Sequence, residues 1–93
     1  MAIPAQIEIG KRAEKYLRSI PKKHARQIAL KIHDLRTNSE PPDSKKLADS
    51  EYRRADIGEH RIIYHATRTT LFIPLVGKRN DGEVYRKLKR LEQ

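Results

Sequence analysis

A chain of 93 residues has room for one modest core and no second one, so a single domain is expected over residues 1–93. It contains no cysteine, which excludes disulfides, zinc–thiolate sites and thiol catalysis together. Apolar residues make up 37% and charged residues 35%, and the formal net charge of +9 favours an anionic partner: nucleic acid, an acidic protein segment or an anionic membrane surface. No apolar run is long enough to cross a bilayer and the N-terminus lacks a signal-peptide pattern, so a cytoplasmic protein without a membrane partner is expected.

Residues 5–9 alternate apolar and polar and predict a short first strand, which Gly10 breaks. From Lys11 the apolar positions become Ala13, Tyr16, Leu17 and Ile20, spaced for one face of a helix. Pro21 ends that helix and can begin the next, because proline is tolerated in a first turn. Residues 22–36 carry Ala25, Ile28, Ala29, Ile32 and Leu35 on one stripe, with Lys22, Lys23, Arg26, Lys31 and Arg36 elsewhere. Two antiparallel helices follow, and their shared apolar face must lie on something flat. Residues 37–44, with Pro41 and Pro42, read as a loop.

Residues 52–57 and 60–66 flank Gly58-Glu59, a pair suited to a two-residue type II′ hairpin. That turn dictates the pairing: Ile57 faces His60, Asp56 faces Arg61, Ala55 faces Ile62, Arg54 faces Ile63 and Arg53 faces Tyr64. Ala55, Ile57, Ile62 and Tyr64 then share a core face. Arg54, Asp56, Arg61, Ile63 and His65 share the other, a polar floor. Residues 71–76 form the next strand, in which Pro74 belongs at an edge or a bulge because it cannot donate a ladder bond. Val84, Leu88 and Leu91 give a last helix its buried stripe, with Tyr85 at the rim, where its hydroxyl can reach the polar floor. The expected fold class is α+β: a small antiparallel sheet of about four strands, two N-terminal helices packed on one face and a short C-terminal helix.

Arg54, Arg61 and Arg79 come from three consecutive strands or their ends, and Tyr85 closes the set. Metal-free RNA cleavage needs a group to take the 2′-OH proton, a group to stabilise charge on the phosphate and a group to protonate the leaving 5′-oxygen. Arginine suits the second need because its planar fork binds two phosphate oxygens at once. Tyrosine or a carboxylate can serve the proton steps. Arg53, Arg54, Lys78 and Arg86 are the candidates for binding RNA phosphates. The competing reading of each is plain: solvated surface arginines, a cross-strand Asp56–Arg61 ion pair of small value, and a packing tyrosine. His24, His33, His60 and His65 show no metal-ligand spacing, so neither a metal nor a small-molecule cofactor is expected.

The order YRRADIGEHRIIY followed by LFIPLVGKRNDGEVYRKL resembles the RelE/ParE superfamily of type II toxin–antitoxin toxins, and within it the RelE branch. The likeness covers the whole chain in length and element order and is most specific over residues 52–91. It implies a ribosome-dependent mRNA endonuclease that cuts in the ribosomal A site by 2′-OH attack, without a metal. Its implied partners are the ribosome, mRNA and a cognate acidic antitoxin. Arg61 matches the arginine of the family's Tyr-Arg-x-x-Tyr strand, here His60 to Tyr64. Arg79 matches the arginine of Gly-Lys-Arg, Tyr85 the terminal tyrosine, and Arg54 the first of two lysines on the preceding strand. Where the family has the second lysine, this chain carries Asp56, either a charge that screens Arg61 or a general base. Two rival readings remain: a ParE-like toxin that inhibits gyrase without nuclease activity, and a catalytically weakened RNA-binding member.

Overall fold

A computed structural model describes residues 4–80 and 82–92; the side chains of Glu83, Val84, Lys87, Leu91 and Glu92 lie outside the description. The elements run β1 (Gln6–Ile9), α1 (Lys11–Ser19), α2 (Lys22–Thr37), β2 (Ser44–Lys46), β3 (Arg53–Ile57), β4 (His60–Ala66), β5 (Thr70–Lys78) and α3 (Glu83–Glu92). One five-stranded mixed sheet results, in the order β1-β5-β4-β3-β2. The α+β class, the two N-terminal helices and the short C-terminal helix are as expected. The sheet differs in two details: β2 adds a fifth strand, and β1 lies parallel to β5 rather than antiparallel.

The β3–β4 hairpin has the pairing that its turn dictates, from Ile57 with His60 to Arg53 with Tyr64. Gly58 adopts φ +58, while Asp49 is the sole non-glycine with positive φ among the described residues, so only the first central residue of the turn is left-handed. That is the type II′ pattern.

Pro74 is accommodated by a bulge. Ile63 pairs with Leu75 and His65 with Phe72, so Tyr64 stands opposite two residues, Ile73 and Pro74. The parallel ladder with β1 stops at Ile73, so no partner strand asks Pro74 for a donor. Gly10 closes this corner: its amide donates to the Ile73 carbonyl at 2.8 Å, and a Cβ there would sit 3.2 Å from the Pro74 backbone.

The extra residue reverses the facing of the rest of β5. Leu71 and Ile73 point to the helices, and after the bulge Val76 does so while Leu75 turns to the opposite face. The main core lies under the helices, where Ala13, Ile28, Ile32 and Leu35 meet Ala55, Ile62, Tyr64, Leu71, Ile73 and Val76. The Tyr64 ring is fully buried and its hydroxyl donates to the Ser39 carbonyl at 2.6 Å, so the polar atom it carries into this layer is satisfied. On the other face Ile63, Leu75 and Leu88 form a second, smaller cluster under α3, flanked by Leu47, Tyr52 and Tyr85. Of the stripe expected for α3, Leu88 is buried, and Val84 and Leu91 fall outside the described side chains. Ile63, expected on a polar floor, is instead fully buried, because α3 covers the middle of that face.

Candidate functional site

The face beneath α3 gathers charge at the turn end of the β3–β4 hairpin. Asp56 and Arg61 are direct cross-strand partners and share this face. Arg61 grips the Asp56 carboxylate with two nitrogens, Nε to Oδ1 at 2.7 Å and Nη2 to Oδ2 at 3.0 Å. Its remaining nitrogen, Nη1, donates to the Tyr85 hydroxyl at 2.5 Å, and the guanidinium carbon lies 5.5 Å from the centre of the Tyr85 ring. Arg54 approaches the other side of Asp56, with Nη1 at 3.4 Å from Oδ2. The carboxyl is held below the ordinary aspartate range, first by the Arg61 hydrogen bond and then by the charges of Arg61, Arg54 and Arg79, against a raising effect of burial. Arg61 is raised in turn, chiefly by its bond to Asp56.

Each position has a local cause. Arg54, Asp56 and Arg61 reach one face through the period-two alternation of paired strands. Tyr85 arrives there because Leu88, three residues on and so on the same side of α3, is buried against Ile63 and Leu75. Arg79 follows the end of β5, and its amide donates to the Glu59 carbonyl at 2.9 Å, which ties it to the hairpin turn. Its side chain is exposed. The site thus holds three arginines around one carboxylate, with a phenol at the edge.

The alternation also places two candidates away from Arg61. Arg53 pairs with Tyr64 and therefore lies on the helix face, where it donates to Ser44 Oγ at 2.9 Å and meets Glu40 at 3.5 Å. Lys78 pairs with His60, on the same helix-side register, and does not join Arg61. Arg86 is exposed on α3, next to Tyr85 in sequence.

A second polar cluster went unforeseen. On the helix face Tyr16 Oη lies 2.8 Å from His60 Nδ1, and His24 Nδ1 lies 3.0 Å from His60 Nε2. His60 is 6% exposed, and burial followed by the nearby His24 holds its pKa below the ordinary value, opposed by Glu59. The only sequence signal was that His60 faces the core in the hairpin register; its partners come from α1 and α2.

The family model for the ParE toxin of the type II toxin–antitoxin system parDE matches residues 7–82, most of the chain. The chain belongs to the ParE toxin family. This toxin also shares its fold with solved structures of RelE. It superimposes on a free E. coli RelE carrying two arginine-to-alanine substitutions with a TM-score of 0.79 and 21% identity, over 98% of this chain and 99% of that one. The isolated E. coli RelE toxin gives 0.68 and 18%, over 94% and 97%. The RelBE2 toxin–antitoxin complex of Mycobacterium tuberculosis gives 0.70 and 21%, over 83% and 100%. No curated protein matches in sequence. The family match takes in Arg54, Asp56, Arg61 and Arg79 and ends before Tyr85.

Proposed function

We propose that this type II toxin is a ribosome-dependent mRNA endonuclease whose reaction is carried by Arg61, Arg79 and Tyr85. The observation that supports this most is the Arg61–Tyr85 hydrogen bond beside a cluster of arginines. In the reaction the 2′-oxygen attacks phosphorus, the bond to the 5′-oxygen breaks, and a 2′,3′-cyclic phosphate and a 5′-hydroxyl result. Arg61 and Arg79 stabilise the charge that grows on the phosphate oxygens. Arg61 donates to the phenolic oxygen of Tyr85, which leaves the Tyr85 O–H free to give its proton to the departing 5′-oxygen. Arg54 steers the backbone into place, and Arg86 adds positive charge at the rim.

Asp56 screens. Its low pKa makes it a weak base, and both its oxygens are engaged by Arg61. Phosphate binding therefore requires Arg61 to exchange one anion for another. With no strong base of its own, the protein leaves the 2′-OH proton to solvent water, from which Tyr85 regains the proton it gives up, and depends on the ribosome to align the 2′-oxygen. A cognate antitoxin, acidic to complement the charge of +9, holds the toxin inactive by covering the cationic face.

One observation favours a second reading. The family model that matches is ParE, and the bidentate Asp56 contact occupies the arginine that a nuclease needs. In that reading the toxin inhibits gyrase by binding alone. Induction without the antitoxin, followed by mapping of mRNA 5′ ends, separates the two. The nuclease reading expects cuts within A-site codons that vanish in Tyr85→Phe. Unbroken mRNA together with lost supercoiling activity contradicts it and supports gyrase inhibition.

A further inference from the structure

A groove of about 510 Å³ runs beside the charged site, between the β2–β3 connection and α3. Its apolar walls are Leu47 and Leu88, both packed on the small cluster around Ile63. Tyr85 belongs to groove and site at once: it lines the groove, and its hydroxyl receives the Arg61 hydrogen bond. Asp49, Ser50 and Lys89 supply the polar lining. The connection is held closed by the Leu47 amide on the Tyr52 carbonyl at 2.9 Å and the Tyr52 amide on Ser50 Oγ at 3.0 Å. At its tip Asp49 takes φ +55, a left-handed conformation that aspartate tolerates better than most residues. The wall is therefore formed before anything binds.

We propose that this groove receives the unpaired base next to the phosphate held at Arg61, and that it selects bases bearing an exocyclic amino group over uracil. The inference rests on the nuclease reading and names the recognition part of that same site. Continuity decides the occupant: a strand whose phosphate sits on Arg61 must place an adjoining base along the Tyr85 ring. Leucine walls and an aromatic edge suit the faces of a base, and Lys89 at the rim suits the next phosphate. A segment of acidic protein fits less well, because Asp49 would meet it with like charge. The selectivity comes from the carboxylate, which only accepts hydrogen bonds. Guanine, adenine and cytosine offer amino donors to it, whereas uracil presents carbonyl oxygens on both sides of its single N–H.

The test is an amide NMR titration of the full-length toxin with 2′-deoxy UpG and 2′-deoxy UpU, which cannot be cut because the attacking hydroxyl is missing. Both probes are expected to move the amides of Arg61 and Arg79. UpG is expected also to move residues 47–50 and Lys89, and to bind about tenfold more tightly than UpU. Asp49→Asn replaces half of the acceptor with a donor and is expected to bring that ratio close to one. Equal affinities with shifts confined to Arg61 and Arg79 overturn the groove assignment and leave the phosphate site standing. Shifts at residues 47–50 with an acidic peptide but with neither dinucleotide overturn it in favour of a protein partner, and so does the absence of any shift. The nuclease reading is judged separately, by the mapped cuts, so the two can fail independently.

Discussion

The two faces of the sheet are built on opposite plans. The helix-covered face is closed: ten residues from both helices and three central strands bury one another, and the phenol and imidazoles within reach of that layer are hydrogen-bonded. Among the described residues, the buried apolar cluster of the other face consists of Ile63, Leu75 and Leu88, and around it lies an open network of charge. Burial is concentrated on the first face, and the second carries the residues proposed for the reaction. A buried core tolerates no unpaired charge, whereas a phosphate site needs cations that can let go of their resting partners. The small cluster under α3 joins the two plans, since Leu88 seats the helix that carries Tyr85.

The largest effect expected from breaking this division is on the closed face. Leu35→Ala or Ile62→Ala removes a fully buried side chain and should cost about 2–5 kcal/mol, read as a lower urea midpoint. A loss under roughly 1 kcal/mol in both would show that the core is not where the stability lies. On the open face the ranking reverses. Arg61→Ala should shift the urea midpoint little, because its ion pair is partly exposed. The same change should lower toxicity by the equivalent of about 2–4 kcal/mol of barrier, as for loss of a charge-stabilising group.

Leu88→Ala probes the joint between the plans. It should release α3 before the rest unfolds, seen as faster amide exchange in residues 83–92 with the sheet still protected. Toxicity should fall although no charged residue has changed. Full toxicity with a loosened α3 would separate Tyr85 from the reaction.

Asp56→Lys sharpens the account of the open face. If Asp56 screens Arg61, a lysine there tightens phosphate binding and raises toxicity several-fold. A fall by a factor of ~100, the scale of losing a general base, would assign the proton to Asp56 instead.

The smallest expected effect is a pH dependence seated on the closed face. Unfolded, His60 takes up a proton near its ordinary value of 6.5; folded, burial beside Tyr16 and His24 keeps it neutral to lower pH. The native state then binds fewer protons, so stability falls as pH drops below 6.5 and levels off once the folded pKa is passed. Asp56, with its pKa lowered, loses its contribution only as pH falls through and below 3.8. Urea midpoints at pH 7.5 and pH 5.5 (both chosen above the Asp56 range) should differ in the parent and converge in His60→Gln.

Much of this was legible in the chain because local rules dictate it. The Gly58-Glu59 turn carried the whole hairpin register, and with it the grouping of Arg54, Asp56 and Arg61 on one face. Pro21 marked the break between helices. What escaped depends on distance. β2 is three polar or charged residues at a sheet edge, too short for any alternation to show, and it forms because β3 offers it a partner. The parallel placement of β1 depends on where two helices return the chain, which no local pattern records. Pro74 signalled a bulge, but the reversal it forces on Leu75 became visible only against Ile63 across the ladder. Arg53 and Lys78 carry the charge an RNA site wants, but the alternation of their strands sends both to the other side. The groove at residues 47–50 lies where the chain has no periodicity to read.

The division between a closed stabilising face and an open reactive face is tested most directly by single-turnover cleavage of mRNA on programmed ribosomes, comparing the parent with Tyr85→Phe after both are matched in urea midpoint. That change removes one hydroxyl from the open face and nothing from the core. The expected result is A-site cleavage by the parent and a loss of about 10²-fold or more in Tyr85→Phe. Equal rates in the two proteins, or no cleavage by either, would contradict the assignment of the Arg61–Tyr85 face to RNA cleavage.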